Sequence, residues 1–230
     1  MFFSLKNKKK KKGLNDMAIT IEIEKVHLDG ENLVIEVAEN QRNALATLLG
    51  LGKKKLADLK PKDEFKIGNE VFIVLEQCDG STKVIAKEFA YEDVKFGDNS
   101  NWKNSPIRRT LNDEYFKRIA GIIGADHILP MARDLTSLDG LDDYGSVTDK
   151  VSLLTAAEYA KYHKILGLKS QCKDWWWTIT PASTPSNDYA RRVCIVGSYG
   201  ILSWIGCGCS DGVRPFLNLD SSILVLENKD

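Results

Sequence analysis

Apolar and polar residues alternate at the start of the chain. The alternation runs from Ile19 to Ile23 and again from Leu33 to Val37, on either side of the dipeptide Asp29-Gly30. A period of two is typical of a strand, and Asp-Gly is typical of a tight turn between two strands. The pattern therefore predicts a β-hairpin over residues 18–38.

Two short helices are predicted after the hairpin. Asn40 can cap a helix from Gln41 to Leu51, which the glycines at positions 50 and 52 would end. A second helix is predicted over Lys53 to Leu59, because Pro61 would stop it.

The remainder of the chain alternates between strand-like and helical patterns. Ser105-Pro106 predicts a helix start, and Thr155 with Glu158 forms a capping-box pattern at the start of another helix. Strands are predicted near residues 64–77, 83–90, 191–196, 201–205 and 212–219. Strands, then helices, then strands indicate an α+β fold rather than a parallel βαβ fold.

These patterns divide the chain into three parts. Residues 1–16 contain the run Lys8 to Lys12 and are expected to form a disordered basic tail. Residues 17–60 are expected to form a small hairpin–helix module, and residues 61–230 a larger domain. The module is also a candidate oligomerisation element, so the oligomeric state remains open.

Composition restricts the range of partners. The chain has 32 basic and 32 acidic residues, so it has no global positive field for nucleic acid. It has no apolar stretch of about 18 residues and no recognisable signal peptide, so no membrane span is predicted. Its five cysteines follow no regular framework and favour a reduced compartment. Cytoplasm, virion and cell surface all remain open as locations.

The sequence contains no recognisable catalytic motif. His27, His127 and His163 stand in a predicted hairpin, a loop and a helix, and none lies in a known catalytic motif. We therefore predict neither an enzyme nor a bound cofactor. Cys207-Gly208-Cys209 suits a soft metal, but a tetrahedral site needs about four ligands and only Cys194 is a nearby candidate. Unpaired thiols are the favoured interpretation, and no metal site is predicted.

The run Trp175-Trp176-Trp177 has two interpretations, a core segment or a ligand platform. Neighbouring side chains of an extended segment point to opposite faces, so the three tryptophans cannot all face one way. Burial of one or two of them in the core is favoured, because tryptophan buries a large area.

Four spaced motifs resemble those of a bacterial and phage family whose domain has no assigned function. They are Asn101-Trp102-Lys103-Asn104-Ser105-Pro106-Ile107-Arg108-Arg109-Thr110-Leu111-Asn112, then Val151-Ser152-Leu153-Leu154-Thr155, then Trp176-Trp177-Thr178-Ile179-Thr180-Pro181, and finally Gly212-Val213-Arg214-Pro215. The third motif departs from the family pattern, because Ile179 and Thr180 replace an arginine and a serine.

The resemblance implies a C-type-lectin-like fold, similar to formylglycine-generating enzymes and to the variable proteins of diversity-generating retroelements. Those variable proteins display randomised side chains near the C-terminus to bind changing ligands. By this resemblance the chain is a ligand-binding protein of phage or bacterial origin, and its partner is a protein or a glycan. The alternatives are a structural protein of a phage particle and a formylglycine-generating-type copper oxidase. The oxidase has a paired-cysteine motif that Cys207-x-Cys209 does not reproduce.

The composition of the C-terminal third supports a variable surface independently of the resemblance. Adenine mutagenesis of Asn codons cannot produce Lys, Glu, Gln, Met or Trp. Residues 181–219 contain no Lys, Glu, Gln or Met and a single tryptophan, Trp204. Lys and Glu make up 37 of the other 191 residues, so chance would place roughly seven or eight of them in this window. A buried, turn-rich β region would also lack Lys and Glu, so both interpretations remain open.

The same segment yields a predicted set of ligand-binding side chains. Val193, Ile195 and Val213 are expected to face inward, Gly197 and Gly212 to form fixed turns, and Arg214 to be structural. The predicted display set is Tyr189, Arg191, Arg192, Cys194, Ser198, Tyr199, Ser203, Trp204, Cys207 and Cys209. Tyr, Trp and Arg are enriched among the residues that dominate binding energy at interfaces.

Overall fold

The structure is a computed structural model that describes residues 2–3, 21–30, 32–37, 53–166 and 175–228. The chain divides into two compact units, Met1–Lys53 and Lys54–Asp230. The first unit holds the predicted hairpin, which is confirmed. Strand β2 (Ile21–Asp29) pairs antiparallel with β3 (Asn32–Val37), and β1 (Phe2–Phe3) pairs with the other edge of β2. The rest of the predicted basic tail and the predicted helix from Gln41 to Leu51 lie outside the described residues.

The predicted helix from Lys53 to Leu59 is wrong. Strand β4 (Lys53–Lys55) is followed by a single 3₁₀ turn, Leu56–Asp58. The backbone of this segment makes a single-turn bond, from Leu59 N–H to the carbonyl of Leu56 at 3.2 Å, and also bonds to residues distant in sequence. The N–H of Leu56 donates to the carbonyl of Ile223 at 2.9 Å, and the Gln77 amide donates to the carbonyls of Leu56 and Leu59. Leu56 and Leu59 are buried in the core of the second unit, so that unit begins earlier than the predicted boundary after residue 60.

An eight-stranded sheet forms the larger layer of the second unit. Its strands besides β4 are β5 (Glu64–Ile67), β6 (Glu70–Cys78), β7 (Ser81–Ala86), β9 (Ile128–Leu129), β12 (Val151–Ser152), β17 (Phe216–Asp220) and β18 (Leu224–Glu227). The order is β12-β17-β7-β6-β5-β18-β4, and β9 also pairs with β17. The sheet is antiparallel and curled, so the predicted α+β unit is mostly β.

A five-stranded sheet forms the second layer. It contains β8 (Tyr91–Lys95), β13 (Trp176–Pro181), β14 (Arg192–Val196), β15 (Leu202–Gly206) and β16 (Ser210–Val213), in the order β15-β14-β13-β16-β8. The pairing of β13 with β16 is parallel, and the other pairings are antiparallel. A separate two-stranded sheet joins β10 (Met131–Asp134) to β11 (Ser146–Asp149).

Short helices cover the sheets. The first helical segment consists of α1 (Pro106–Thr110), a π-helical turn (Leu111–Tyr115) and α2 (Phe116–Ile123). Its predicted start is confirmed, because Ser105 Oγ accepts the N–H of Ile107 at 3.2 Å. Helix α3 (Ala156–Leu166) begins with the predicted capping box. Thr155 N–H donates to Glu158 Oε2 at 2.8 Å, and Glu158 N–H donates to Thr155 Oγ1 at 3.0 Å.

The asparagine–tryptophan motif that begins at Asn101 is part of the scaffold. Trp102 Nε1 donates to Asp149 Oδ2 at 2.8 Å, and Arg108 Nε donates to Asp149 Oδ1 at 2.7 Å. Asn112 accepts the N–H groups of Lys150 and Val151 and donates to the carbonyl of Val151. The motif therefore fixes the first helical segment to the strand region around Asp149, whose side chain is fully buried.

The predicted structural role of Arg214 is consistent with its surroundings. The side chain is buried, Nε donates to the carbonyl of Ala86 at 2.7 Å, and the guanidinium lies 5.4 Å from the Trp176 ring centroid. Gly212, which was expected to form a turn, lies instead within β16. An added Cβ there would lie 2.5 Å from Phe89, so the close approach of that ring explains the glycine.

Glu76 joins helix α3 to the eight-stranded sheet. The Glu76 carboxylate, on β6, accepts hydrogen bonds from Lys161 Nζ at 2.7 Å and from the Tyr162 hydroxyl at 2.5 Å. It also forms an ion pair with Lys83 at 2.9 Å. The hydrogen bonds from Lys161 and Tyr162 outweigh burial and, with Lys83, lower the pKa of Glu76 to about 2. Ionised Glu76 therefore stabilises the contact between helix and sheet.

We expect Asp149→Asn to destabilise the second unit strongly. The substitution leaves Arg108 without its ionic partner and gives Trp102 a poorer acceptor at a buried site, so the loss should be about 3 kcal/mol in the free energy of unfolding. Asp113→Asn is the matched control, since its ion pair with Lys117 is exposed and should be worth less than about 1 kcal/mol. Urea unfolding of both variants measures the difference, and equal stabilities would contradict the assigned role of Asp149.

We expect Glu76→Gln to flatten the acid dependence of stability. The folded-state pKa of Glu76, about 2, lies below its ordinary value of 4.5, so its contribution is present above about pH 4.5 and is lost as pH falls toward 2. The free energy of unfolding should therefore change less between about pH 5 and about pH 3 in the variant than in the parent. Glu92→Gln, at an exposed residue of β8, is the control and should keep the parental slope.

Candidate binding surface

An exposed apolar surface surrounds the hairpin formed by β14 and β15. Six large apolar side chains in and beside this hairpin are solvent-exposed, and no comparable cluster along the sequence occurs elsewhere among the described residues. They are Trp175, Tyr189, Tyr199, Ile201, Leu202 and Trp204. Tyr199 is 76% exposed and Trp204 is 54% exposed, which is unusual for aromatic side chains outside an interface. We call these six residues, together with Arg191 and Arg192, the hairpin surface.

Strand register places part of the hairpin surface on one face of the five-stranded sheet. Cys194 lies opposite Trp204, Val196 opposite Leu202, and Arg192 opposite Gly206. Directly opposed residues of an antiparallel pair point to the same face. Arg192, Leu202 and Trp204 therefore share the face on which Val196 packs against Trp176.

Two members of the predicted display set are not displayed. Cys194 is 1% exposed and Cys207 is 3% exposed. Cys194 lies on β14, which has a neighbouring strand on each side, and Cys207 packs in the main apolar core. Burial raises the pKa of each thiol to about 11, which opposes the thiolate that copper or zinc binding requires.

The other predicted display residues have different degrees of exposure. Tyr189, Arg191, Arg192, Tyr199, Trp204 and Cys209 are exposed, whereas Ser198 and Ser203 are half-buried. The Arg192 guanidinium lies 5.3 Å from the Tyr189 ring centroid, within range of a cation–π contact. The expected inward residues Val193, Ile195 and Val213 are fully buried.

Gly197 begins the turn, as expected, because its carbonyl accepts the N–H of Gly200 at 2.8 Å. The turn between β14 and β15 has its positive φ, 74°, at Gly200. Gly197 closes the ladder, because its N–H donates to the carbonyl of Ile201 at 2.9 Å. An added Cβ at Gly197 would lie 3.7 Å from the indole nitrogen of Trp175, in ordinary contact with that ring.

The three consecutive tryptophans are distributed as strand alternation requires. Trp177 is fully buried in the main core, and its indole N–H donates to the carbonyl of Val94 at 2.7 Å. Trp176 is buried on the opposite face, in an edge-on contact with Tyr159. Trp175 lies just before β13 and is 40% exposed. Burial of two tryptophans confirms the favoured interpretation, and the third contributes to the hairpin surface.

Three exposed residues of the hairpin surface were not predicted: Trp175, Ile201 and Leu202. Apolar β-branched or aliphatic side chains in a predicted strand are ordinarily assigned to the core. For this reason the exposure of Ile201 and Leu202 was not predicted. The available clue was the register, because alternation from Trp204 places Leu202 on the same face.

The acidic loop between β10 and β11 keeps Asp139, Asp142 and Asp143 exposed to solvent, and two of these carboxylates also bind a neighbouring loop. Asp139 Oδ2 accepts the Ser183 hydroxyl at 2.5 Å, and Asp143 accepts both the N–H and the hydroxyl of Ser186, at 2.9 and 2.8 Å. These hydrogen bonds lower the pKa values of both carboxyls, with the largest effects from Ser137 on Asp139 and from the Ser186 N–H on Asp143. The acidic loop thus helps to fix the segment that leads into the hairpin surface.

Among the described residues, no three His, Cys, Asp or Glu side chains converge as metal ligands would. None of the helices in the described ranges is both long and apolar enough to cross a bilayer.

Comparison with known proteins identifies a family. The sequence profile of a domain of unknown function, DUF6273, matches residues 79–221, which include the first helical segment, helix α3 and the hairpin surface. No curated protein and no solved structure matches the chain significantly. Because the profile covers more than half of the chain, the protein belongs to the DUF6273 family.

Proposed function

We propose that this chain is a ligand-binding protein of phage or bacterial origin, and that the hairpin surface contacts the ligand. The observation that carries the proposal is the cluster of exposed aromatic and aliphatic side chains beside two exposed arginines. Tyrosine, tryptophan and arginine supply most of the binding energy in protein interfaces. An exposed apolar patch with polar residues around it is a common mark of an interaction site.

The scaffold beneath the hairpin surface supports this role. Strand β14 is held between β13 and β15, and its inward residues Val193 and Ile195 are fully buried. A surface on such a strand pair costs little ordering entropy when a ligand binds, because its backbone is already fixed.

The displayed side chains are independent of the bonds that hold the fold. Within the described part of the chain, Arg191, Tyr199, Leu202 and Trp204 make no side-chain hydrogen bond or ion pair. The hairpin is held by backbone bonds, such as Cys207 N–H to the carbonyl of Arg191 at 3.0 Å. Substitution at these positions therefore leaves the supporting network intact.

We extend the proposal to diversification of this surface by a retroelement, in a domain with a C-type-lectin-like fold. Burial alone does not account for the absence of Lys and Glu from residues 181–219. Between Lys53 and Leu166, 14 of 47 exposed residues are Lys or Glu, so about four would be expected among the 14 exposed residues of the window. None is present, and adenine mutagenesis of Asn codons would produce that absence.

We expect the hairpin surface to determine binding. The purified chain would be applied to a glycan array and to intact bacterial cells, and its affinity for whatever it binds would be compared with that of Tyr199→Ala and Arg191→Ala. Each substitution should weaken binding about tenfold or more if the residue is an energetic anchor. Ile122→Ala removes an apolar side chain of 54% exposure on α2 and should bind as the parent does. Equal binding by all variants would contradict the proposal.

Sequencing of the gene's neighbourhood tests diversification separately. We expect a reverse-transcriptase gene and a near-copy of the segment that encodes residues 181–219, differing from it at adenines of the template. Such a repeat is the source from which mutagenic copying would proceed. A neighbourhood with neither feature would refute diversification and leave the binding role to be decided by the variants above.

A further inference from the structure

Strand β15 forms an outer edge of the five-stranded sheet, and its backbone is available for pairing. In the ladder with β14, Cys207 N–H donates to the carbonyl of Arg191, which fixes residues 191 and 207 as a hydrogen-bonded pair. Such pairs alternate with non-bonded pairs along an antiparallel ladder. Leu202, Trp204 and Gly206 belong to the non-bonded pairs, so their N–H and C=O groups point away from β14.

These outward groups are almost entirely unused by the chain itself. Among the described residues, the carbonyl of Gly206 accepts Cys209 N–H at 2.9 Å, and the backbone groups of Leu202 and Trp204 have no hydrogen-bond partner. Strand β15 also contains no charged residue, no proline and no residue with positive φ. Charged residues, prolines and irregular backbone are the features with which proteins ordinarily block a sheet edge against pairing, and β15 has none of them.

The outer strands of the two large sheets elsewhere in the unit carry such features. Strand β4 consists of three lysines, and β9 and β12 have two residues each. Strand β8 contains Glu92, Asp93 and Lys95, and Asp93 has a φ of 54° that disrupts its pairing with β16. By contrast, β15 has five uncharged residues in regular register with β14.

We infer that β15 pairs antiparallel with β15 of a second copy of this chain, across a two-fold axis at Trp204. The residues whose backbone groups point outward, 202, 204 and 206, are spaced symmetrically about position 204. In the antiparallel pair, the N–H groups of one copy therefore meet the C=O groups of the other. Trp204 lies opposite Trp204 of the second copy, and Leu202 lies opposite Gly206 of that copy. The absence of a side chain at Gly206 leaves room for the leucine.

Charge favours a second copy as the occupant. The paired strands contain no ionisable side chain, so self-pairing brings no like charges into direct opposition. Arg191 precedes β14 and Arg192 is its first residue. The two β14 strands of such a dimer are three strand spacings apart, about 14 Å, beyond the Debye length at physiological salt.

The dimer would contain one continuous ten-stranded sheet. Leu202 and Trp204 of both copies would lie on the same face, with the two indole rings within contact distance. This arrangement brings the two hairpin surfaces side by side. The inference depends on the backbone of β15 and is independent of whether the surface binds a ligand.

Sedimentation equilibrium of the full chain, from about 1 µM to about 1 mM, tests the pairing. We expect a monomer–dimer equilibrium in the parent. Trp204→Glu and Trp204→Lys should each weaken dimerisation at least tenfold, because each places like charges in direct opposition. An equimolar mixture of the two should dimerise again as a heterodimer. Ile122→Glu is the matched control, since Ile122 and Trp204 are both 54% exposed, and it should dimerise as the parent does.

Leu202→Pro tests the backbone directly. The Leu202 N–H has no hydrogen-bond partner among the described residues, so its removal should leave the melting temperature nearly unchanged while dimerisation falls at least tenfold. A chain that is monomeric at every concentration overturns the inference. So does a dimer that survives Trp204→Glu, Trp204→Lys and Leu202→Pro, since its contact would lie elsewhere. A monomer that still binds ligand would refute the pairing and leave the proposed function in place.

Discussion

The alternation of side chains along β13 is the constraint on which the second unit depends. Trp176 and Trp177 are neighbours in sequence and point to opposite faces of the five-stranded sheet. One enters the cluster beneath α3, and the other enters the main core beside Phe96. A single strand thereby joins two apolar clusters, and β14 is held against it with both of its faces covered. The apolar cover of this sheet ends at β15, where Leu202 and Trp204 are exposed to solvent.

The parts of the fold that were predictable are those specified by local chemistry. The Asp29-Gly30 turn, the Ser105 cap and the Thr155–Glu158 capping box each depend on residues within a few positions of one another. They were predicted correctly because the chain supplies both partners locally. The failed prediction, a helix over Lys53 to Leu59, shows the opposite case. There the backbone groups of Leu56 and Leu59 bond to Ile223 and Gln77, residues distant in sequence.

The same distinction explains what was and was not predictable in the candidate site. Inward positions such as Val193 and Ile195 followed from period-two alternation. The burial of Cys194 could not be predicted in this way, because it depends on strands β13 and β15 on either side of it. A strand's own sequence does not reveal its neighbours. The exposure of Ile201 and Leu202 was hidden for a related reason. An apolar strand is assigned to the interior unless it is known to be the outermost strand of its sheet.

The family motifs and the exposed residues of the hairpin surface make different contacts in the second unit. Trp102, Arg108 and Asn112 converge on residues 149–151, and Arg214 bonds to the carbonyl of Ala86, so the motif residues are committed to the scaffold. Among the described residues, Tyr199, Leu202 and Trp204 contribute no side-chain hydrogen bond or ion pair to it. Substitution of these exposed side chains therefore leaves the bonds of the scaffold intact, whereas substitution of a residue that holds the core costs stability. The sheet order contributes to this separation, because Leu202 and Trp204 lie on the outermost strand β15, whereas the motif residues Trp176 and Trp177 lie on the inner strand β13.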